Sequence, residues 1–247
     1  MTDTAVRLEN VSKAFNGTKV LDGISFDVKK SSLFCILGRS GTGKSVTLRH
    51  IIGLVKPDRG RIFVEDEDIT DMARPELIRV RKKLGFLFQY AALFDSTTVF
   101  ENVAFPLRRH TNLSEAEIEN VVNEKLASVG LEKHLNKMPD ELSGGMKKRV
   151  GLARALAMEP SILLVDEPSA GLDPITTAEI DELILELKRE RGVTVVMVTH
   201  NIPSARRLAD ELVFLNQGKL AARGTVADLE RSEDPLVRSF MVSEGSG

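Results

Sequence analysis

Cysteine is nearly absent from this chain of 247 residues, in which Cys35 stands alone. A single cysteine excludes an internal disulfide framework and is typical of proteins that fold in a reducing compartment. Long apolar runs are missing too, since no stretch reaches the ~18 apolar residues that predict a membrane-spanning helix. The first ten residues carry neither an apolar segment nor a cleavage-site pattern, so we expect no signal peptide. Any contact with a membrane should therefore run through a partner.

A surplus of positive charge is lacking as well: 34 lysines and arginines oppose 36 aspartates and glutamates, for a net charge of -2. Proteins that bind nucleic-acid duplexes more often carry a basic excess, so nucleic acid is not expected as a partner. What the chain does contain is an ordinary globular composition, with 42% hydrophobic and 28% charged residues. Its length suffices for one large α/β domain, or for one core with an inserted subdomain.

Apolar patterning predicts an antiparallel region followed by a parallel sheet. Strand-like residues 6–8 and 24–28 lie on either side of the turn residues 16–17, as in antiparallel strands. Residues 33–37 form a continuous apolar run, typical of a buried parallel strand. We expect Cys35, inside this run, to be a small buried hydrophobe rather than a reactive thiol. Further strands are predicted at 61–64 and 84–88.

The character of the chain changes between residues 95 and 159, where helical patterns dominate. Ser114 and Glu117 form a capping-box signature that opens a helix toward residue 129. Strands and helices then alternate, which predicts a mostly parallel sheet with helices on both faces. The alternating elements are predicted at 161–166, 175–190, 193–199, 203–210, 212–215 and 219–223. We expect one domain made of a core at 1–94 and 160–225, a helical subdomain at 95–159, and a C-terminal helix and tail at 226–247.

A Gly-rich loop follows the predicted strand 33–37, has the spacing G-x-x-x-x-G-K-[ST] and opens a helix. Its residues are Gly38, Arg39, Ser40, Gly41, Thr42, Gly43, Lys44 and Ser45. The glycines let backbone N–H groups turn toward phosphate oxygens, and the helix N-terminus adds a positive dipole. Lys44 is placed to reach the β- and γ-phosphates, and the Ser45 hydroxyl to bind Mg²⁺. The alternative is a Gly-rich surface turn, but a chance match has a probability of roughly 1%.

Two acidic residues end another predicted strand, since Asp166 and Glu167 follow the apolar residues 162–165. Carboxylates at the carboxyl end of a parallel strand face the ligand crevice. Asp166 is predicted to hold Mg²⁺, directly or through water, and Glu167 to act as general base toward the attacking water. Alone, such a pair is most often a solvated helix start. The phosphate loop upstream favours the catalytic interpretation.

A second anion-binding helix start is predicted at Ser143, Gly144 and Gly145. Ser143 suits an N-cap position, and two glycines allow backbone amides to approach an anion. One nucleotide cannot easily use both helix N-termini within a single chain, whereas a second copy placed head to tail would bring them together. In isolation, a Ser-Gly-Gly segment is usually only a turn.

In this order the motifs resemble those of the ABC-type ATPases, and the resemblance covers nearly the whole chain. It implies an α/β fold of the P-loop NTPase (RecA-like) type: a mostly parallel sheet core, an antiparallel β region and an inserted α-helical subdomain. It also implies ATP and Mg²⁺ as ligands, ATP hydrolysis, and a homodimer. Residues 142–146 look like the family signature, with Met146 in place of the usual glutamine, and residues 169–173 look like the D-loop.

The resemblance assigns roles to residues that alone carry little information. Gln89 resembles the Q-loop glutamine, a catalytic residue and metal ligand, and His200 resembles the catalytic switch histidine. Phe15 corresponds to the aromatic residue that stacks on adenine, without the hydroxyl of the more common tyrosine. Besides the loop 38–45, the implied nucleotide contacts are Phe15, Thr47, Ser143, Gly144, Gly145 and Asp173. The implied metal ligands are Ser45, Gln89 and Asp166.

Residues 88–107 resemble those of ATPases from the maintenance-of-lipid-asymmetry system and other Mce-type lipid transporters. This implies phospholipid transport between the membranes of a diderm bacterium, with the chain on the cytoplasmic side of the inner membrane. The implied partners are an integral membrane permease, an Mce-domain periplasmic protein and a small STAS-domain subunit. Alternatives are another cargo (an amino acid or a lipoprotein), an ABC protein acting on DNA or ribosomes, and a catalytically silent binding module. A single phosphate loop and the intact residues Lys44, Asp166, Glu167 and His200 disfavour the last two.

The apolar segment 91–107 allows two interpretations. It contains Leu93 and Phe94, with Asp95, Glu101 and Asn102 interspersed. It can line a groove that receives a short permease helix and is rimmed by these polar residues, or it can belong to the subdomain core. Both uses require apolar side chains, so the sequence does not separate them.

Overall fold

The computed structural model describes residues 3–242. Its strands are β1 (Thr4–Phe15), β2 (Thr18–Lys29), β3 (Leu33–Leu37), β4 (Arg59–Val64), β5 (Glu67–Asp68), β6 (Leu84–Leu87), β7 (Ile162–Asp166), β8 (Thr194–Thr199), β9 (Glu211–Asn216) and β10 (Lys219–Gly224). Its helices are α1 (Lys44–Ile51), α2 (Arg74–Arg81), α3 (Val99–His110), α4 (Glu115–Ala127), α5 (Gly144–Leu156), α6 (Pro174–Arg191), α7 (Ile202–Leu208), α8 (Val226–Glu230) and α9 (Pro235–Val242). The sequence patterns did not predict β5 and α2.

Within residues 3–242, six strands form a sheet in the order β10-β9-β3-β8-β7-β6. Strands β9, β3, β8, β7 and β6 run parallel, and β10 pairs antiparallel with β9 at the edge. Every residue of β3, β7 and β8 is buried. Helices or a second sheet cover both faces of such strands, which is why they are nearly unbroken apolar runs in the sequence. The expected mostly parallel α/β core is confirmed.

The side chains of β3 alternate between two hydrophobic clusters. Leu33, Cys35 and Leu37 pack with the helices on one face of the sheet, and Phe34 and Ile36 pack with the antiparallel region on the other. Because a shift by one residue would exchange these two sets, the register of β3 is fixed from both sides. The loop that follows β3 therefore starts from a fixed point.

The antiparallel region is a second sheet, in the order β2-β1-β4-β5. Strands β1 and β2 form a hairpin, and their turn residues Asn16 and Gly17 both have positive φ angles, 49° and 79°. Asn-Gly favours this backbone, which matches the twist of the flanking strands. The predicted antiparallel region is thus confirmed, with longer strands than the sequence indicated.

Residues 99–156 contain α3, α4 and α5, in line with the predicted helical patterns. The predicted capping box opens α4: the Glu117 N–H donates to the Ser114 Oγ at 3.4 Å, and the Ser114 N–H donates to the Glu117 carboxylate at 2.7 Å. Helix α4 ends at Ala127, two residues before the predicted end. The division into a core and an inserted subdomain stays a prediction.

The C-terminal stretch contains two short helices, α8 and α9, where a single helix was expected. Residues 243–247 of the predicted tail lie outside the described residues. Among residues 3–242, no helix combines the length and the hydropathy needed to cross a bilayer.

Candidate functional site

The Gly-rich loop connects the end of β3 to α1, and two of its glycines have no room for a side chain. A Cβ atom on Gly38, whose φ is +151°, would lie 2.4 Å from the Leu215 carbonyl oxygen. A Cβ atom on Gly43, whose φ is +98°, would lie 2.8 Å from the Val20 carbonyl oxygen. Both positions require glycine, because a neighbouring backbone carbonyl lies where a Cβ atom would be and because the positive φ angles are ones that other residues rarely adopt. The loop is thus held against β9 and the start of β2.

Lys44 begins α1 and directs its ammonium back over the loop. Its Nζ donates to the carbonyl oxygens of Gly38 at 2.8 Å and Arg39 at 3.1 Å. The same Nζ lies 3.6 Å from Oε1 of Glu167, and both side chains are less than a tenth exposed. The predicted phosphate-binding lysine and the predicted general base are therefore neighbours.

Ser45 and Asp166 meet at the end of β7, where the Ser45 hydroxyl donates to Oδ1 of Asp166 at 2.8 Å. Burial raises the pKa of the Asp166 carboxyl, while the hydrogen bond from Ser45 acts to lower it. A hydroxyl and a carboxylate at hydrogen-bond distance are hard oxygen donors, the class that Mg²⁺ prefers. The donor set at this point fits the expected metal.

The Glu167 side chain is held on both sides. Its Oε2 lies 2.9 Å from Nδ1 of His200 and also accepts the His200 backbone N–H at 3.2 Å. The Glu167 backbone is left-handed, with φ of +47°. Its N–H donates to the Val198 carbonyl at 2.9 Å, and its carbonyl accepts from Lys148 Nζ at 3.1 Å and from the Ala170 N–H at 3.2 Å. These contacts fix where the carboxylate points.

Lys148 is a buried residue of the site that sequence reasoning missed. It is 4% exposed, and its Nζ donates to the carbonyl oxygens of Gln89 and Glu167. Burial lowers the pKa of Lys148 to about 8, against the opposing effect of the Asp166 and Glu167 carboxylates. The available signal was a lysine on a helix face that is otherwise apolar, a position at which a charge needs partners.

The signature residues lie elsewhere, at the start of α5. Ser143 is the N-cap, and its Oγ accepts the Met146 N–H at 3.2 Å. Gly144 lies beside Leu172, which a Cβ atom would meet at 3.4 Å. Among the hydrogen bonds of residues 3–242, none joins Ser143–Gly145 to the loop 38–45. The structure therefore does not bring the two predicted phosphate-binding helix starts together within one chain.

The D-loop packs against the signature. Asp173 is the N-cap of α6 and accepts the N–H groups of Ile175 and Thr176, both at 3.0 Å. The hydrogen bonds from Thr176 hold the pKa of Asp173 below its usual range. A Cβ atom on Gly145 would lie 2.5 Å from Cγ2 of Thr176, so α5 and the start of α6 touch at this glycine. Asp173 therefore lies at the start of α6, beside the signature and not beside the Gly-rich loop.

Two further predicted contacts lie beside the loop. Phe15 ends β1, is 42% exposed, and pairs with Thr18, close in sequence to the Val20 that Gly43 touches. Thr47 is fully buried, and its hydroxyl donates to the Gly43 carbonyl at 3.0 Å. The Thr47 side chain thus supports the loop from behind. Of the remaining loop residues, Arg39, Ser40 and Gly41 are exposed, and Thr42 is half-buried with its hydroxyl donating to the Arg39 carbonyl at 2.8 Å.

The segment 91–107 divides between groove and core. Val99, Val103, Ala104 and Leu107 are buried in the core, and Leu93 packs against it. Other side chains of the segment line an open groove of about 590 Å³. The apolar part of its wall includes Ile78, Phe86, Phe88, Phe94, Phe105 and Met158. The charged part consists of Arg74, Arg81, Lys82, Arg109 and Arg154, together with His110. We call this feature the basic groove.

The rim of the basic groove differs from the expected one. Asp95 and Glu101 are not among its lining residues, and the charges that line it are positive. Asn102 is buried and bonds the backbone of Phe94, donating to its carbonyl and accepting its N–H at 2.8 Å. Asn102 thus braces the loop, and the Glu101 carboxylate pairs with Arg108. The charges beside the groove are therefore basic and not the acidic ones expected from the sequence. Leu93 likewise belongs to the core side.

Residues 21–170 of the chain, more than half of its length, match the family model of ABC transporters. The chain is 42% identical over 236 residues to the intermembrane phospholipid transport system ATP-binding protein MlaF of Escherichia coli K12, covering 96% of this chain and 88% of MlaF. It is 41% identical over 237 residues to the probable ribonucleotide transport ATP-binding protein mkl of Mycobacterium leprae, covering 96% of this chain and 68% of mkl. It is 43% identical over 216 residues to the methionine import ATP-binding protein MetN 2 of Pseudomonas aeruginosa, covering 87% of this chain and 64% of MetN 2.

A solved relative supports the same grouping. The dimeric structure of a post-hydrolysis state of the ATP-binding cassette MJ0796, bound to ADP and Pi, has a TM-score of 0.84 and 35% identity, and covers 89% of this chain and 98% of that chain. The family match, the relatives and the fold all indicate an ATPase, as does the cluster of Lys44, Asp166 and Glu167. The chain therefore belongs to the ABC transporter family, as one of its ATP-binding and ATP-hydrolysing members.

Proposed function

We propose that this chain is the motor subunit of a transporter that moves phospholipids between two membranes. The cargo is inferred from the similarity to MlaF, which extends over 96% of this chain and 88% of MlaF. The segment 88–107 supports the same assignment, since it resembles that of lipid-transport ATPases. Ribonucleotides and methionine, for which two other relatives are named, are the competing cargoes.

The observation that carries the catalytic half of the proposal is the position of the Glu167 carboxylate, between Lys44 at 3.6 Å and His200 at 2.9 Å. We infer that Lys44 and the backbone amides of residues 38–45 hold the phosphates of ATP. Glu167 accepts the proton of the attacking water, and His200 orients that carboxylate. Phe15, at the exposed end of β1, stacks on the adenine ring.

Ser45 and Asp166 would hold Mg²⁺, with the Gln89 side chain as a further oxygen ligand. When bound, Mg²⁺ neutralises negative charge on the phosphate oxygens. The 2.8 Å contact between Ser45 and Asp166 keeps both oxygens at one point beside Lys44. The hydrogen bond from the Thr47 hydroxyl to the Gly43 carbonyl holds the end of the loop against α1.

A second copy of the chain would complete the site. Gly144 and Gly145 pack against Leu172 and Thr176, which flank the D-loop residue Asp173. No hydrogen bond within residues 3–242 ties Ser143–Gly145 to the Gly-rich loop. We propose a head-to-tail homodimer in which each signature faces the nucleotide held by the other copy. The dimeric state named for MJ0796, which shares 35% identity, supports this arrangement.

The basic groove is proposed as the docking site of the membrane permease. Phe94 and Phe105 are 42% and 50% exposed, with ring centroids 4.8 Å apart, so the groove offers an apolar floor. Arg81, Lys82 and Arg154 donate to carbonyl oxygens, which do not neutralise their charge. A short amphipathic permease helix with acidic residues beside its apolar face fits this surface. Docking there would hold the chain at the cytoplasmic face of the inner membrane.

An Mce-domain periplasmic protein and a small STAS-domain subunit complete the proposed assembly. Both follow from the resemblance of the chain to lipid-transport ATPases. The first would carry lipid beyond the permease, and the second would bind on the cytoplasmic side.

The test is affinity purification of the complex through a tag on this chain, from detergent-solubilised membranes, with mass spectrometry of proteins and lipids. We expect a permease, an Mce-domain protein and an enrichment of glycerophospholipids. A parallel preparation of the Phe94→Asp variant, which should lose the permease, supplies the lipid background. Recovery of a permease with an amino-acid-binding protein, and no lipid above that background, would replace the phospholipid assignment with a different cargo.

A further inference from the structure

Three residues of α5, spaced by three, lie against the loop that follows β6. Lys148 Nζ donates to the Gln89 carbonyl. Gly151 faces Ala91, whose Cβ a side chain at position 151 would meet at 3.1 Å. Arg154 donates to the carbonyl oxygens of Ala91 at 2.5 Å and Ala92 at 2.8 Å. Residues three apart share one side of a helix, so α5 presents a continuous edge to this loop.

The backbone that this edge contacts is strained. Ala91 and Ala92 have φ angles of +59° and +48°, and Glu167 has a φ of +47°. Residues with a Cβ atom rarely adopt this left-handed region, and they persist in it when surrounding contacts over-determine the conformation. Lys148 and Arg154 supply such contacts, because they bond the carbonyl oxygens of all three residues.

Lys148 reaches both catalytic segments. Its ammonium bridges the carbonyl of Gln89, after β6, and the carbonyl of Glu167, after β7. The same helix begins with the signature at Ser143. We propose that Lys148 is a positioning residue for ATP hydrolysis, which holds the Gln89 and Glu167 backbones so that the Glu167 carboxylate meets Lys44 and His200. This inference rests on the proposed role of Glu167 as general base.

The bridge requires a donor at the end of a long side chain. Methionine fills a similar volume and is apolar, so Lys148→Met keeps the packing but leaves the Gln89 carbonyl without its ammonium partner. Arginine in place of Lys148 retains charge and donors. The contacts of Lys44 with the Gly-rich loop do not involve Lys148, so binding of ATP should survive in both variants.

A matched control is available in Lys125. It is fully buried, and its ammonium bonds the carboxylates of Glu124 and Glu159 at 2.9 and 3.0 Å. No hydrogen bond or ion pair within residues 3–242 joins this ammonium to the segment after β6 or the segment after β7. Lys125→Met therefore removes a buried ammonium of the same kind from a structural position. It should lower the melting temperature and leave the turnover number of the folded protein unchanged.

The experiment measures kcat and KM for ATP, nucleotide affinity and melting temperature on the full chain carrying each substitution. For Lys148→Met we expect kcat to fall about tenfold or more, with KM changed less than about threefold. Lys148→Arg should recover most of the rate. Wild-type kcat in Lys148→Met, or equal rate losses in Lys148→Met and Lys125→Met, would overturn the proposal.

Glu167→Gln, measured alongside, tests the general-base role of Glu167 separately from the positioning role of Lys148. If Glu167→Gln is inactive while Lys148→Met turns over normally, the role of Lys148 is refuted and the general base stands. If Glu167→Gln hydrolyses ATP at the wild-type rate, the general-base assignment fails and the positioning role of Lys148 falls with it.

Discussion

Phe94 provides the sharpest test of the basic groove. Its side chain is 42% exposed, and Arg154 lies over the ring at 5.8 Å from the centroid. Full burial of a large apolar side chain contributes about 1.5–3 kcal/mol, so covering the exposed fraction of Phe94 contributes about 0.6–1.3 kcal/mol to docking. Phe94→Ala should therefore weaken permease binding about three- to ninefold.

Phe94→Asp should have a larger effect on docking and a small effect on folding. In the isolated chain, the new carboxylate lies beside Arg154 and remains hydrated, and only the burial of the covered part of the ring is lost. That part contributes about 0.9–1.7 kcal/mol, so the melting temperature should fall by a few degrees and the chain should stay folded. In the complex, the same carboxylate would be covered by the apolar face of the permease helix, which adds a desolvation cost. We expect binding to weaken by an order of magnitude or more.

The assay combines the melting temperature of the isolated subunit, its affinity for ATP, and its recovery with tagged permease. Leu113→Asp is the exposure-matched control, since Leu113 is 37% exposed and does not line the groove. Val103→Asp is the core control, because Val103 is fully buried and a charge there should unfold the chain. Normal assembly of Phe94→Asp would refute docking at the groove. A loss of melting temperature like that of Val103→Asp would assign Phe94 to the core.

Three further predictions concern the site and the core. Glu167→Gln should bind ATP and accumulate as a closed dimer while hydrolysis falls by on the order of 10²-fold, and near-normal turnover in a phosphate-release assay would remove Glu167 as general base. Ser143→Arg and Lys44→Ala should each be inactive. A mixture of the two variants should regain partial ATPase activity, because each heterodimer carries one composite site that is free of both changes. Full activity of Ser143→Arg alone would show that each chain works by itself. Cys35 should resist alkylation at pH 8 until denaturant is added, since burial raises the pKa of its thiol, and rapid labelling of the native protein would contradict its buried position.

The sequence predicted the parallel core well, because strands covered on both faces are short apolar runs that differ from amphipathic helices. It also located Asp166 and Glu167 at the end of a strand and Lys44 in the loop-to-helix turn after another strand, where the topology brings the three residues together. Helix α2 escaped prediction because it is mostly polar and has one buried residue, Val80. A pattern of apolar periodicity carries no information about such an element.

The residues that the sequence did not reveal depend on contacts between distant segments. Lys148 bonds Gln89, 59 positions away in the sequence, and no local spacing encodes that meeting. The basic character of the groove arises in the same way, since Arg74 comes from α2 and Arg154 from α5. The left-handed backbone of Ala91 and Ala92 is likewise imposed by tertiary contacts, because alanine itself disfavours it.

The alternation of β3 between two hydrophobic clusters links nucleotide binding to the cooperativity of folding. Because Phe34 and Ile36 belong to one cluster and Leu33, Cys35 and Leu37 to the other, neither cluster can dissolve without displacing the strand that carries the Gly-rich loop. ATP is then a ligand of the whole folded chain and not of a local element. At a concentration of about 100 times its Kd, such a ligand adds about 2.7 kcal/mol to the free energy of unfolding. Both clusters should accordingly melt in one transition, and ATP should shift that transition as a unit.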